Sequence, residues 1–140
     1  MEINDLYQDL IIDHGRRPRN FGPLAEATSS HQAHNPLCGD QVCLHLQMEG
    51  ERIVRVRFEG EGCALSMASA SLLTEIAVGK TREELLGIAQ AFHHQMVSGE
   101  PGLSIGPLEA LLPVREYPMR VKCVTMVWHA LREALRESHA

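Results

Sequence analysis

The sequence predicts an α+β fold: a small antiparallel β-sheet with helices packed on one face, an N-terminal helix and a long C-terminal helix. Three observations predict it. Apolar residues recur at helical spacing near both ends of the chain, two central runs alternate with period two about a glycine turn, and the stretch that follows them reads as further helix.

Ile3, Leu6, Tyr7, Leu10 and Ile11 share one helical face, with Glu2, Asp5, Gln8 and Asp9 opposite; Gly15 and Pro18 are expected to end this helix. The run Arg16-Arg17-Pro18-Arg19-Asn20 is a basic turn, readable as a solvated loop or as a local patch for an acidic partner. Glu26 to His34 is polar and serine-rich and reads as an edge strand or a loop. Val42, Leu44, Leu46 and Met48 alternate with Gln41, Cys43, His45 and Gln47. After Glu49-Gly50-Glu51-Arg52, Val54, Val56 and Phe58 alternate with Arg55, Arg57 and Glu59, which makes a β-hairpin with one buried face. Gly60, Glu61 and Gly62 are expected to break the second strand.

Ala64 to Val78 reads as a helix stopped by Gly79. Thr81-Arg82-Glu83-Glu84 is a capping box that opens the next helix, whose stripe is Leu85, Ile88, Ala89, Phe92 and Met96. Ser98 to Pro107 reads as loop, Pro107 starts a short helix through Leu112, and Pro113 and Pro118 bracket a turn. The last helix carries Val121, Val124, Trp128, Leu131 and Leu135 on one side and Arg132, Glu133, Arg136 and Glu137 on the other.

The chain of 140 residues is expected to be one domain, 1–140, since 44% hydrophobic residues supply a core of ordinary size. With 18 acidic and 13 basic residues and a net charge of −5, it lacks the basic signature of a nucleic-acid binder. No apolar run is long enough to span a membrane, and MEINDLYQDL has neither the basic nor the apolar segment of a secretion signal. The expectation is a cytoplasmic protein with no nucleic-acid or membrane partner. Four cysteines are too few for a disulfide scaffold; in a reducing compartment they point to metal ligands or reactive thiols.

No two of Cys38, Cys43, Cys63 and Cys123 have C-x-x-C spacing, so context must sort them. Cys38 lies in Asn35-Pro36-Leu37-Cys38-Gly39-Asp40, and in extended backbone Cys38 and Asp40 would point the same way. A thiolate beside a carboxylate is a two-ligand fragment for zinc or iron; the plainer alternative is a turn Asp and a buried Cys. Cys63 sits at a strand-to-helix junction, Gly60-Glu61-Gly62-Cys63-Ala64-Leu65-Ser66, where the helix dipole favours the thiolate. Cys123 is expected in the first turn of the last helix, beside the positive Arg120 and Lys122. Three cysteines in thiolate-promoting settings point to a shared metal or sulfur site. Cys43 alternates onto the polar face with Gln41 and His45 and reads as structural. His93 and His94 are expected to face solvent, His129 to pack at an interface, and Ser66, Ser69 and Ser71 to allow close helix packing. A catalytic Ser would need a His base and an acid partner to which nothing points.

Asn-Pro-x-Cys-Gly-Asp (35–40), Gly-x-Gly-Cys-Ala-x-Ser (60–66) and Arg120-x-Lys122-Cys123, with Asp13-His14 and Pro18-Arg19-Asn20-Phe21-Gly22, resemble the U-type iron–sulfur cluster assembly proteins, the IscU, SufU and NifU N-terminal families. Lys122 stands where scaffold-type IscU proteins have His, and the stretch from Ser98 to Pro118 is similar to the insertion of the SufU branch. The resemblance implies Cys38, Asp40, Cys63 and Cys123 as ligands of Zn²⁺, or alternatively of a transient [2Fe–2S] cluster. It implies a zinc-dependent sulfur acceptor and carrier that takes persulfide sulfur from a pyridoxal-phosphate cysteine desulfurase and serves downstream iron–sulfur recipients. If this is catalysis, it is that of a sulfurtransferase; the alternative is a scaffold on which a [2Fe–2S] cluster is built. In this reading Cys38 is the sulfur acceptor, and Arg120 and Lys122 help to hold the anionic persulfide. A zinc hydrolase or deaminase is disfavoured, since four ligands leave no open position for water and the deaminase signature is absent.

Overall fold

A computed structural model of the protein describes residues 3–36, 39–100 and 102–137; the side chains of residues 3–8 and 137 lie outside that description. The order of elements is α1 (Ile3–Arg16), β1 (Ser29–Asn35), β2 (Asp40–Glu49), β3 (Arg52–Glu61), α2 (Ala64–Ala77), α3 (Arg82–Ser98), a 3-10 helix (Gly106–Glu116) and α4 (Pro118–Glu137). The fold is α+β, as its sequence predicts. The three strands form one antiparallel sheet in the order β1-β2-β3.

The period-two pattern puts Val42, Leu44 and Leu46 of β2 inward, with Ala33 of β1 and Val56 and Phe58 of β3 beside them. One expectation shifts by a residue. Met48 pairs with Ile53 and Gln47 with Arg55, so Val54 has no partner on β2 and forms a bulge. Ile53 thereby takes the core position, fully buried, and Val54 is half-buried. β3 also continues past the expected break, pairing Gly60 with Val42 and Glu61 with Gln41. Gly60 does not end the strand because it lets β2 come close: a Cβ there would lie 2.0 Å from the Gln41 carbonyl oxygen, and its φ is +146°. The polar segment resolves as an edge strand, β1, whose Ala33 and Asn35 are its buried residues.

Helices cover the inner face. α4 lies chiefly under β1, α2 under β3, and α3 flanks α4. Leu10 and Ile11 of α1 pack against the core; Ile3, Leu6 and Tyr7 of the same predicted stripe fall outside the described side chains. α1 runs through Gly15 to Arg16 and docks on α2 through buried His14, whose Nδ1 lies 2.7 Å from Ser71 Oγ. The Thr81–Glu84 capping box opens α3 as expected, with Leu85, Ala89, Phe92 and Met96 buried. Between α3 and α4, Phe92 packs on Trp128 and His93 meets His129 edge-on at 5.2 Å. His93 therefore does not face solvent as its neighbour His94 does.

The expected short helix and proline-bracketed turn are one longer 3-10 helix that passes through Pro113. Leu108, Ala110, Leu111 and Val114 bury one side of it, and this packing outweighs the missing Pro113 N–H. α4 then opens at Pro118 itself, a favoured first helical residue. Cys123 consequently lies in the second turn of α4, not the first, and the helix-terminus argument for its thiolate does not hold.

Candidate metal centre

Asp40 and Cys63 reach one point because β2 begins beside the end of β3. Asp40 is the first residue of β2, pairs with Asn35 of β1, and is 1% exposed. Cys63 is the N-cap of α2, two residues beyond the end of β3. Its N–H donates to Asp40 Oδ1 at 3.0 Å, so the carboxylate caps the helix in place of the Cys63 side chain. Gly62 makes room: a Cβ there would meet Asp40 Oδ1 at 3.0 Å. From α4, fully buried Cys123 completes the group, and the Asn35 amide donates to its Sγ at 3.6 Å.

One donor atom from each of Asp40, Cys63 and Cys123 lies within 4.8 Å of the others. Cys63 Sγ is 3.9 Å from Asp40 Oδ2. Tetrahedral zinc with bonds of about 2.3 Å to sulfur and about 2.0 Å to oxygen would bring such a pair to about 3.5 Å. Two soft thiols and a hard carboxylate are a donor set that suits zinc, and the Asp40–Cys63 pair would close by a few tenths of an ångström around such an ion.

Ser66, one turn into α2, organises the donors. Its hydroxyl donates to Asp40 Oδ2 at 2.7 Å and lies 3.5 Å from Cys63 Sγ. Burial pushes the Cys63 thiol up, as does the Asp40 charge, but hydrogen bonds from the Ser66 hydroxyl and backbone N–H, and one with Cys123, bring it below its ordinary value. Sequence reasoning assigned Ser66 to close packing and missed this role. The available signal was its place in the Cys63-Ala64-Leu65-Ser66 run, one helical turn from the thiol. Ser69 and Ser71 likewise bond rather than merely pack, to the Val124 carbonyl and to His14.

Cys43 lies apart. It is half-buried on the outer face of the sheet, and burial first, then the neighbouring Glu59 charge, push its thiol up. Arg120 and Lys122 are exposed, and Lys122 lines a cleft between β1 and α4. Cys38, expected as fourth ligand and sulfur acceptor, lies outside the described residues.

Residues 6–137 match the NifU-like N terminal domain model. The chain belongs to that family. It is 37% identical over 135 residues to the zinc-dependent sulfurtransferase SufU of Bacillus subtilis, covering 95% of this chain and 91% of that one. It is 36% identical over 140 residues to the iron–sulfur cluster assembly scaffold protein IscU of Streptococcus pyogenes serotype M1, covering 98% and 87%. The crystal structure of FiSufU from Fervidobacterium islandicum AW-1 superposes with a TM-score of 0.88 at 34% identity, covering 96% of this chain and 99% of that one. An N-terminal NifU-like protein from Brucella abortus gives 0.89 at 25% identity, covering 98% and 96%. This is an iron–sulfur cluster assembly family member of the IscU/SufU kind with a candidate metal group. No helix among the described residues is long and apolar enough to cross a membrane.

Proposed function

We propose that this protein is a zinc-dependent sulfur acceptor and carrier, with Asp40, Cys63, Cys123 and Cys38 as the zinc ligands and Cys38 as the residue that takes the sulfur. The observation that carries the reading is the spacing of the donors: two thiols and a buried carboxylate within 4.8 Å suit one ion, whereas a two-iron cluster spreads its ligands further apart. Zinc bound there would hold the thiols deprotonated at neutral pH. The name of the Bacillus subtilis relative supports the same reading.

The donor is a cysteine persulfide on a pyridoxal-phosphate desulfurase. The Cys38 thiolate attacks the outer sulfur of that persulfide. Its S–S bond breaks, a new S–S bond forms on Cys38, and the donor cysteine leaves as a thiolate, with no external oxidant or reductant. The partner then passes from persulfide to thiol while Cys38 carries the sulfur to an iron–sulfur recipient. Ser66 and the Cys63 N–H fix the Asp40 carboxylate throughout. Arg120 and Lys122, exposed near the start of α4, offer positive charge to the anionic persulfide or to an acidic partner surface.

The test pairs anaerobic metal analysis with a desulfurase assay. Colourless protein with one zinc per chain, a persulfide on Cys38 by mass spectrometry, and loss of stimulated turnover in Cys38→Ala are the expected results. Brown protein with a charge-transfer spectrum would favour the scaffold reading, and full stimulation by Cys38→Ala would exclude Cys38 as acceptor.

A further inference from the structure

The arginines of β3 carry more positive charge than the fold uses. Arg57 Nη2 donates to the Phe21 carbonyl at 2.7 Å. It passes over Gly22, where a Cβ would lie 2.7 Å from that nitrogen. The guanidinium is thereby pinned on the loop that follows the basic turn. Its Nε is out of reach of water and has no hydrogen-bond partner, and among the described residues Arg57 forms no ion pair. Glu59, the next carboxylate along the same face, is bound to His45 at 2.9 Å. Arg55 has Glu26 at 3.7 Å, with both side chains 63% exposed, a pair that contributes little. Arg52 donates to the Gly79 carbonyl, just past the end of α2. A half-buried, immobilised cation without a counter-ion is costly, and nothing within the fold offsets the charge of Arg57.

Arg55 and Arg57 line a cavity of about 210 Å³ together with Asn20, Val54, Val56 and Val78, and no acidic side chain stands in its wall. The bulge that takes Val54 out of the core makes it part of this wall. Main-chain bonds bracket the cavity along the strand: Phe58 N–H donates to the Asn20 carbonyl at 3.0 Å, and Ile53 N–H to the Lys80 carbonyl at 2.9 Å. Phe21, the residue after Asn20, and Val78 are exposed large apolar side chains. The cavity lies toward the hairpin end of β3, whereas Cys63 follows the other end.

We propose that this cavity is a docking site for an acidic segment of a protein partner, which seats one aliphatic side chain against Val54 and Val78 and sets carboxylates on Arg55 and Arg57. Charge complementarity argues for the acidic groups, since the wall offers two arginines and no carboxylate. The three valines argue for an apolar anchor, and the exposed Phe21 and Val78 extend the surface beyond what a free anion would cover. The site is separate from the metal centre, and its test reads neither zinc nor sulfur transfer.

The intact, isotope-labelled chain is titrated with an acetylated and amidated peptide in which a central leucine is flanked by two glutamates on each side. Backbone amide and arginine Nε–H resonances are followed. Shifts should concentrate at Val54, Val56, Val78 and the Arg57 Nε–H, and binding should weaken as salt is raised. Alanine in place of the leucine should weaken binding by about tenfold, and lysines in place of the glutamates should abolish it. Arg55→Gln and Val78→Glu change exposed side chains and leave the core intact. The first should weaken binding by about threefold or more, and the second should abolish it. Arg136→Gln, on the exposed end of α4, should bind as the parent chain does. Absence of shifts at these residues with millimolar peptide would overturn the proposal, as would equal binding by the lysine or the alanine peptide. So would the same shifts produced by sodium acetate at equal carboxylate concentration, since the cavity would then hold a small anion only.

Discussion

Replacing Ser66 with alanine tests the organisation of the metal centre most directly. Its hydroxyl donates to Asp40 Oδ2 at 2.7 Å in a fully buried setting, and the other carboxylate oxygen is held by the Cys63 N–H at 3.0 Å. Removing the hydroxyl leaves Oδ2 of a carboxylate that is 1% exposed with only the weak Cys63 thiol at 3.9 Å, where water cannot reach it. A hydrogen bond to a charged group contributes about 1.5–3 kcal/mol, so metal-free Ser66→Ala should lose about that much unfolding free energy in urea. The freed oxygen is the one nearest the Cys63 sulfur, so zinc affinity, measured by competition with a chromophoric chelator, should fall by about 10–100-fold. Alkylation of Cys63 at neutral pH in metal-free protein should also slow, since a hydrogen bond that favours its thiolate is gone. Ser69→Ala is the control. It deletes a neutral bond to the Val124 carbonyl, costs about 1 kcal/mol, and should leave zinc affinity unchanged. If Ser66→Ala binds zinc as tightly as the parent chain, Ser66 is a packing residue and the assignment of Asp40 as a ligand loses its support.

Three further outcomes are expected. Cys63→Ser and Cys123→Ser should each lose most bound zinc while Cys43→Ser keeps it; equal loss in all three would dissolve the ligand set drawn from the geometry. Gly60→Ala forces a side chain onto the Gln41 carbonyl at φ +146° and should cost about 2–4 kcal/mol in chemical unfolding, and a cost under about 0.5 kcal/mol would show that the edge relaxes freely. Burial, then the Arg19 charge, hold His14 below its ordinary value of 6.5 against the pull of Glu75 and Asp13. Above that value the group is neutral in both states and costs nothing. As pH falls below it the unfolded chain takes up the proton first, so stability drops until the folded value is passed. Unfolding free energy should therefore decline from about pH 7 to pH 5, and less steeply in His14→Gln; parallel profiles would remove His14 from the account.

Local signals carried much of the fold. The capping box at Thr81, the two-residue glycine turn of the hairpin and the stripe of α4 depend on neighbours a few positions away, and each took its expected form. Where the outcome differed, a distant contact decided it. The strand continues through Gly60 because the β2 backbone passes against it, and the 3-10 helix survives Pro113 because its buried leucines have a core to enter. The bulge at Val54 follows from the pairing register with β2, which alternation within one strand does not encode.

The sequence by itself determined the chemical inventory: which thiols and which carboxylate are available, and that Cys63 stands at a strand-to-helix junction. It also separated Cys43 from the others by strand parity, and the register keeps that residue on the outer face. Only the tertiary structure decided that Cys123, in the second turn of α4 and not at its start, meets Asp40 and Cys63, because helix packing under the sheet brings α4 against β1. Ser66 and Asn35 likewise acquire their roles there. A hydroxyl or amide has many partners in an unfolded chain, and burial beside a carboxylate or a thiol commits it to the polar groups packed against it.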